Sequence, residues 1–173
     1  MATSFRHGNC KLTSSGQALT LLNMSPYQYV ISLRIWHPTI PEEDISKIVG
    51  RKAKHSWTAG SPRISPKGNP LGGLRDSTYW TTELTTGTLI SDPIEVEQAL
   101  TGFANDLAPL SEFFNGIRGD GGKVEFFVGL FGDGNIVVDL APSLMGRLAQ
   151  AGLSICLDYY PWKREGNQEA NKE

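Results

Sequence analysis

Residues 27–37, YQYVISLRIWH, alternate without a break. Tyr27, Tyr29, Ile31, Leu33 and Ile35 fall on one side of an extended chain. Gln28, Val30, Ser32, Arg34 and Trp36 fall on the other. A period of two reads as a strand with one buried face. Such a strand needs neighbours in a sheet and a second layer packed on its apolar side. Pro38 ends it, because proline has no N–H to give to a ladder.

A helix is predicted next, with Thr39 and Glu42 as a capping box and Glu42, Glu43 and Asp44 in the first turn. Ile45, Ile48 and Val49 form its apolar stripe, and Gly50 suits a left-handed end. A second strand is predicted at 77–84, STYWTTEL, whose Thr, Tyr and Trp favour a pleated surface. Asp92-Pro93-Ile94-Glu95 starts a second helix, carried by Ile94, Val96, Leu100 and Phe103, and Pro109 breaks or kinks it. A further turn or helix, LSEFFNGIRG, ends at Gly119. Strands are predicted at 123–131 and 135–140, joined as a hairpin by Gly132-Asp133-Gly134. A helix from Pro142 to Ala151, closed by Gly152, leads to a last strand at 153–160.

Strand–Pro–helix–Gly–strand therefore occurs twice, from Tyr27 to Leu84 and from Asn135 to Tyr160. The predicted fold is a two-layer α+β sandwich: a mixed, mostly antiparallel sheet, helices on one face, and repeated β-α-β halves. Residues 1–26 read as an N-terminal extension, 27–161 as a single α+β domain, and 162–173 as a disordered charged tail. A length of 173 residues suits one domain and a core that needs no metal or disulfide.

Charge is unevenly placed. Residues 51–76, RKAKHSWTAGSPRISPKGNPLGGLRD, carry six basic residues against Asp76 alone, a net of +5. The rest carries 10 basic and 17 acidic residues, a net of −7. Pro62, Pro66, Pro70 and Gly72-Gly73 mark the segment as a long irregular loop, and long loops in compact domains carry function. The overall charge of −2 argues against a dedicated nucleic-acid binder. No run approaches the ~20 apolar residues of a membrane span, and no secretory signal is visible, so a cytoplasmic location is expected. Cys10 and Cys156 are expected to be unpaired thiols.

Five stretches taken together carry a resemblance: ISLRIWH, PEEDISKIVG, KHSWTAGSP with Trp57 and Gly60, TYWTTEL with Trp80, and LSICLDYYP with Asp158 and Tyr159. Across roughly residues 29–160 the chain resembles the bacterial domain-of-unknown-function 4279 family. The resemblance implies a small cytoplasmic protein, similar to members that look like immunity or antitoxin proteins. It implies no mechanism.

No catalytic or cofactor motif accompanies these marks. His37 at a strand end reads as a histidine bonded to backbone, for want of a paired nucleophile. His55, with Lys52 and Lys54, reads as part of a solvated basic segment. His7 and Cys10 lack the second ligand pair that zinc sites show, so no metal is expected. GDGG at 119–122 and GDG at 132–134 lack the Walker lysine and the spaced acids of a calcium loop, and read as turns. Trp57 is expected to pin the basic loop to the sheet, and Trp80 to lie in the core. Asp158 is expected to pair with Arg34 or Arg75.

The leading expectation is a non-enzymatic binding protein that takes a toxin-like protein partner through the 51–76 segment. Its candidate binding residues are Lys52, Lys54, His55, Trp57, Arg63, Arg75 and Trp80. One alternative is a nucleic-acid or nucleotide binder using the same segment, with Trp and Arg stacking on bases. Another is an enzyme acting on an anionic small molecule, which requires His37, His55 and Asp158 to converge.

Overall fold

The computed structural model of the chain describes residues 26–92 and 95–162. The expected extension and charged tail lie outside the described residues, save Pro26 and Trp162. Six strands form one sheet: β1 (Gln28–His37), β2 (His55–Trp57), β5 (Thr78–Glu83), β6 (Leu89–Ile90), β7 (Lys123–Gly132) and β8 (Ser154–Pro161). Five follow the order β2-β5-β1-β7-β8, and β6 pairs with the start of β1. Two further strands, β3 (Pro62–Ile64) and β4 (Pro70–Leu74), pair only with each other. Among the described residues four α-helices complete the fold: α1 (Glu42–Val49), α2 (Val96–Leu107), α3 (Ser111–Gly119) and α4 (Pro142–Gln150).

The alternation read in 27–37 is the alternation observed. Tyr29, Ile31, Leu33 and Ile35 are wholly buried, and their neighbours on the other face are half-exposed. Val124, Phe126 and Val128 of β7 and Trp80 of β5 extend the buried face. The helices close over it with Ile45, Val96, Leu100, Phe114, Ile117, Leu144 and Leu148, all in one core. The opposite sheet face carries no helix among the described residues.

Both β-α-β halves are present, with strands other than those expected. β1 and β2 are each antiparallel to β5, so β1-α1-β2 is a parallel pair with β5 laid between them. The strand at 78–83 is thus the antiparallel neighbour of β1. In the second half, β7 and β8 are direct parallel neighbours joined through α4. The expected strand at 135–140 does not form, nor does its hairpin. Ile136, Val138 and Leu140 instead pack inward against the core. Their alternation reports the buried side of a segment that pairs with no strand among the described residues.

Local signals fared unevenly for physical reasons. Gly50 ends α1 with φ 68°, as expected. The Thr39–Glu42 capping box is absent, because Pro41 occupies the cap position and its side chain carries no acceptor. His37 takes over there: its Nδ1 accepts the N–H groups of Thr39 at 3.0 Å and Ile40 at 2.9 Å. The Glu42 N–H goes to Thr58 Oγ1. The reading of His37 as a backbone-bonded strand-end histidine is what the structure contains. Helix α2 starts at Val96 behind Glu95, while Pro93 and Ile94 lie outside the described residues. Pro109 does break the helix, inside a single 3₁₀ turn at Ala108–Leu110 that leads into α3. Gly122 is fixed by crowding: a Cβ there would sit 2.4 Å from the Trp36 carbonyl oxygen.

Candidate functional site: a basic hairpin arm on an aromatic ladder

The 51–76 segment is ordered, contrary to the irregular loop expected. After residues 51–54 it joins the sheet as the outer strand β2, then leaves it, and the chain returns as β5. Between them the chain forms an antiparallel arm. Its base is closed by Gly60 N–H to Arg75 O at 2.8 Å and Arg75 N–H to Ser61 O at 2.9 Å. Its tip is a turn in which Ser65 N–H bonds Asn69 O and Gly68, at φ 83°, bonds Ser65 O. At the usual strand rise the arm reaches about 20 Å from its base. Prolines are tolerated because each strand of a two-stranded ribbon is an edge. Gly72 and Gly73 take φ values of 72° and 73°, which side chains rarely adopt, and the pairing shifts register between Pro62 and Ile64.

Every residue of β3 and β4 is exposed. The arm presents Arg63 and Lys67 beside three apolar side chains, Ile64, Leu71 and Leu74, each more than half exposed. From Arg51 to Arg75 there is no acidic residue to offset the charge.

The root of the arm stands on the open sheet face. Trp57 of β2 pairs with Tyr79 of β5, Tyr79 with Trp36 of β1, and Trp36 with Lys123 of β7. These four cross-strand partners touch in sequence. Ring centroids are 4.5 Å apart for Trp57–Tyr79 and 5.1 Å for Tyr79–Trp36, and Lys123 Nζ lies 5.3 Å from the Trp36 ring. These spacings match the roughly 4.8 Å between strands, so the rings form a row across the sheet, tilted against one another by 33° and 47°. The Arg75 guanidinium lies 4.0 Å from the Trp57 ring at the other end. Its Nε is buried without a hydrogen-bond partner among the described residues, so stacking on Trp57 is what holds it. Trp57 also donates its indole N–H to Ser77 O at 3.1 Å.

A second row runs beside the first. Arg34 sits 3.2 Å over the Phe127 ring and 3.9 Å from Glu125 Oε1, and Lys123 pairs with Glu125 Oε2. The Glu125 side chain is 3% exposed, and a carboxylate so placed is tolerable because two cations flank it. Lys54 pairs with Glu83 one strand further out.

The candidate residues separate accordingly. Lys52, Lys54, His55 and Arg63 are exposed. Trp57 and Arg75 are half-buried and committed to the ladder, which agrees with Trp57 as the anchor of the segment. Trp80 is removed from the surface: it is fully buried and donates its indole N–H to Ser46 Oγ of α1 at 2.8 Å. Asp158 takes neither arginine as partner and instead accepts from the Tyr160 hydroxyl. That bond is the first cause holding the Tyr160 phenol above its ordinary pKa.

His37, His55 and Asp158 do not converge. His37 faces the helices at the end of β1, whereas His55 and Asp158 lie on β2 and β8, the outer strands of the five-strand path. Four strand spacings, about 19 Å, separate those two edges. Among the described residues no group of three or more His, Cys, Asp or Glu is placed to hold a metal. Tyr79, Trp36 and Lys123 were missed as site residues. Their signal was present in the alternation, because Tyr79 lies one residue from the buried Trp80 and so must face the other way.

A two-layer α+β sandwich with one open face, and a basic arm rooted on that face, is the class of molecule these features define. The chain belongs to the family described as a domain of unknown function, DUF4279, which matches residues 27–162. The match covers the folded domain from the first residue of the buried stripe to the end of β8. No curated protein and no solved structure matches the chain. Among the described residues no helix is long and apolar enough to cross a membrane.

Proposed function

We propose that this protein is a non-enzymatic cytoplasmic binding protein that grips an acidic protein partner with its hairpin arm, in the manner of an immunity or antitoxin protein. The observation that carries the reading is the side-chain mixture on β3 and β4. Protein interfaces combine an apolar centre with arginine at the contact. Ile64, Leu71 and Leu74 supply the first, and Arg63 supplies the second, with Lys67 at the tip. A site built for phosphates alone has no use for three exposed aliphatic side chains.

The ladder also argues against the nucleic-acid alternative. Binding of single strands needs aromatic faces open to bases. Here the ring contacts are taken up within the protein by Arg75, Trp57, Tyr79, Trp36 and Lys123.

The test is a pull-down from native lysate with the full chain, with and without nuclease. Leu71→Ser/Leu74→Ser and Arg63→Glu/Lys67→Glu serve as paired variants. A stoichiometric protein that survives nuclease and is lost by both variants is the expected result. Bound material that disappears with nuclease, or a partner retained by both variants, refutes the reading.

A further inference from the structure

β8 is the outer strand of the sheet and pairs only with β7, so its far edge has no strand beside it among the described residues. Exposed edges are normally blunted by lysine, internal proline, a bulge or a covering element. β8 has none of the first three. Its only charge is Asp158, its only proline is the last residue, Pro161, and its register with β7 runs unbroken from Ser154. Large apolar side chains gather there. Leu157, Tyr159, Tyr160 and Trp162 are each 43–46% exposed, and Val137 of the adjoining segment is 60% exposed. An open cleft of about 460 Å³ lies against Tyr159, walled by Leu130, Ile136 and Val137. Leu157 and Tyr159 lie on the helix side and Tyr160 on the open side, so both faces of this edge carry exposed apolar groups, as interaction edges do.

We propose that two copies of this chain join β8 to β8, antiparallel about a two-fold axis, into one continuous sheet. A second copy fits this edge because the apolar residues on the helix side of the strand fall opposite one another when it is laid against its own reverse. With the axis at Leu157, Leu157 meets its own copy and Ile155 meets Tyr159 on the helix side. On the open side Cys156 meets Asp158 and Ser154 meets Tyr160. This register uses the strand from Ser154 to Tyr160 and keeps the two Asp158 carboxylates from lying opposite each other. Moving the axis one residue to Asp158 sets like charges directly opposite, which destabilises a pair. The arms, on the β2–β5 side, lie at the far margins of such a sheet, so the proposal stands independently of the arm's partner.

The experiment uses the full chain. Sedimentation at micromolar concentration is expected to give twice the chain mass, and Leu157→Lys to give the single mass with unchanged far-ultraviolet circular dichroism. In a Cys10→Ser/Cys156→Ser background, Leu157→Cys is expected to form a disulfide dimer on mild oxidation. Directly opposed residues of an antiparallel pair have Cα atoms about 4.5–5.5 Å apart, inside the disulfide range. Tyr159→Cys in the same background is expected to stay uncrosslinked, because two copies of residue 159 are offset by about 13 Å along the strands. A monomeric wild type overturns the proposal. So does a dimer that crosslinks at 159 and not at 157. Slow amide exchange along β8 in a monomer, lost when residues 1–25 are removed, would assign the edge to that segment and overturn it as well.

Discussion

Replacing Trp57 with alanine tests whether the ladder anchors the arm or serves a partner. The ring is half-buried, with Tyr79 at 4.5 Å, Arg75 at 4.0 Å and an indole hydrogen bond to Ser77 O. Removing about 100 Å² of buried apolar surface costs roughly 2.5 kcal/mol at 25 cal/mol/Å². The lost ring pair adds about 0.5–1 kcal/mol. The cation contact and hydrogen bond overlap with these losses, so the expected total is about 3 kcal/mol, at the low end for large aromatic truncations. A domain of this size unfolds with an entropy that converts 3 kcal/mol to roughly 10 °C in Tm. Trp57→Phe keeps the ring pair, loses the hydrogen bond, and should cost about 1 kcal/mol, or roughly 3–4 °C. Differential scanning calorimetry on wild type and both variants measures this directly. A Trp57→Ala shift below about 3 °C, with partner capture abolished, would refute the anchor and make Trp57 a contact residue.

Two further outcomes are expected. His37→Phe keeps a flat, somewhat larger ring but leaves the Thr39 and Ile40 N–H groups without their acceptor and Asp120 without its Nε2 partner, and should lower stability by about 2 kcal/mol in urea unfolding with an unchanged slope; no loss would mean that water replaces the imidazole at no cost. Burial first, then the charge of Glu95, raises the Tyr27 pKa, and burial first, then Tyr27, raises that of Tyr29, so the folded state holds these protons more tightly than the unfolded chain. Their contribution is therefore complete below the unfolded tyrosine pKa of about 10 and is lost as pH rises through the higher folded values. Denaturation midpoints measured up the alkaline range should fall less steeply in a Tyr27→Phe/Tyr29→Phe chain, and parallel curves would contradict the assignment.

The first strand was legible because eleven residues of strict alternation admit one backbone and one buried face. Gly50 was legible for a similarly local reason, while Trp80 was read both as core and as a binding residue, and it lies in the core. The stretch 135–140 misled because Ile136, Val138 and Leu140 satisfy the same alternation while lying against the core without a ladder. Only the position of β8, set by α4 from a distance, decides which chain takes the slot beside β7. The arm was hidden by its own composition. Proline and glycine signal interruption in a central strand, but in a free ribbon they are permitted at nearly every position. The ladder was half visible. Trp57 and Arg75 stood out by residue type, while Tyr79, Trp36 and Lys123 became partners only through cross-strand register.

The arm contributes nothing to the buried core, since all of β3 and β4 lies in solvent. Its root, by contrast, is tied into four neighbouring strands. Substitutions between Pro62 and Leu74 are therefore nearly free of folding cost, apart from the glycines that need positive φ. Such a layout lets the arm's sequence change while the scaffold stays constant. Sequence variation among relatives is expected to peak at Arg63, Ile64, Lys67, Leu71 and Leu74.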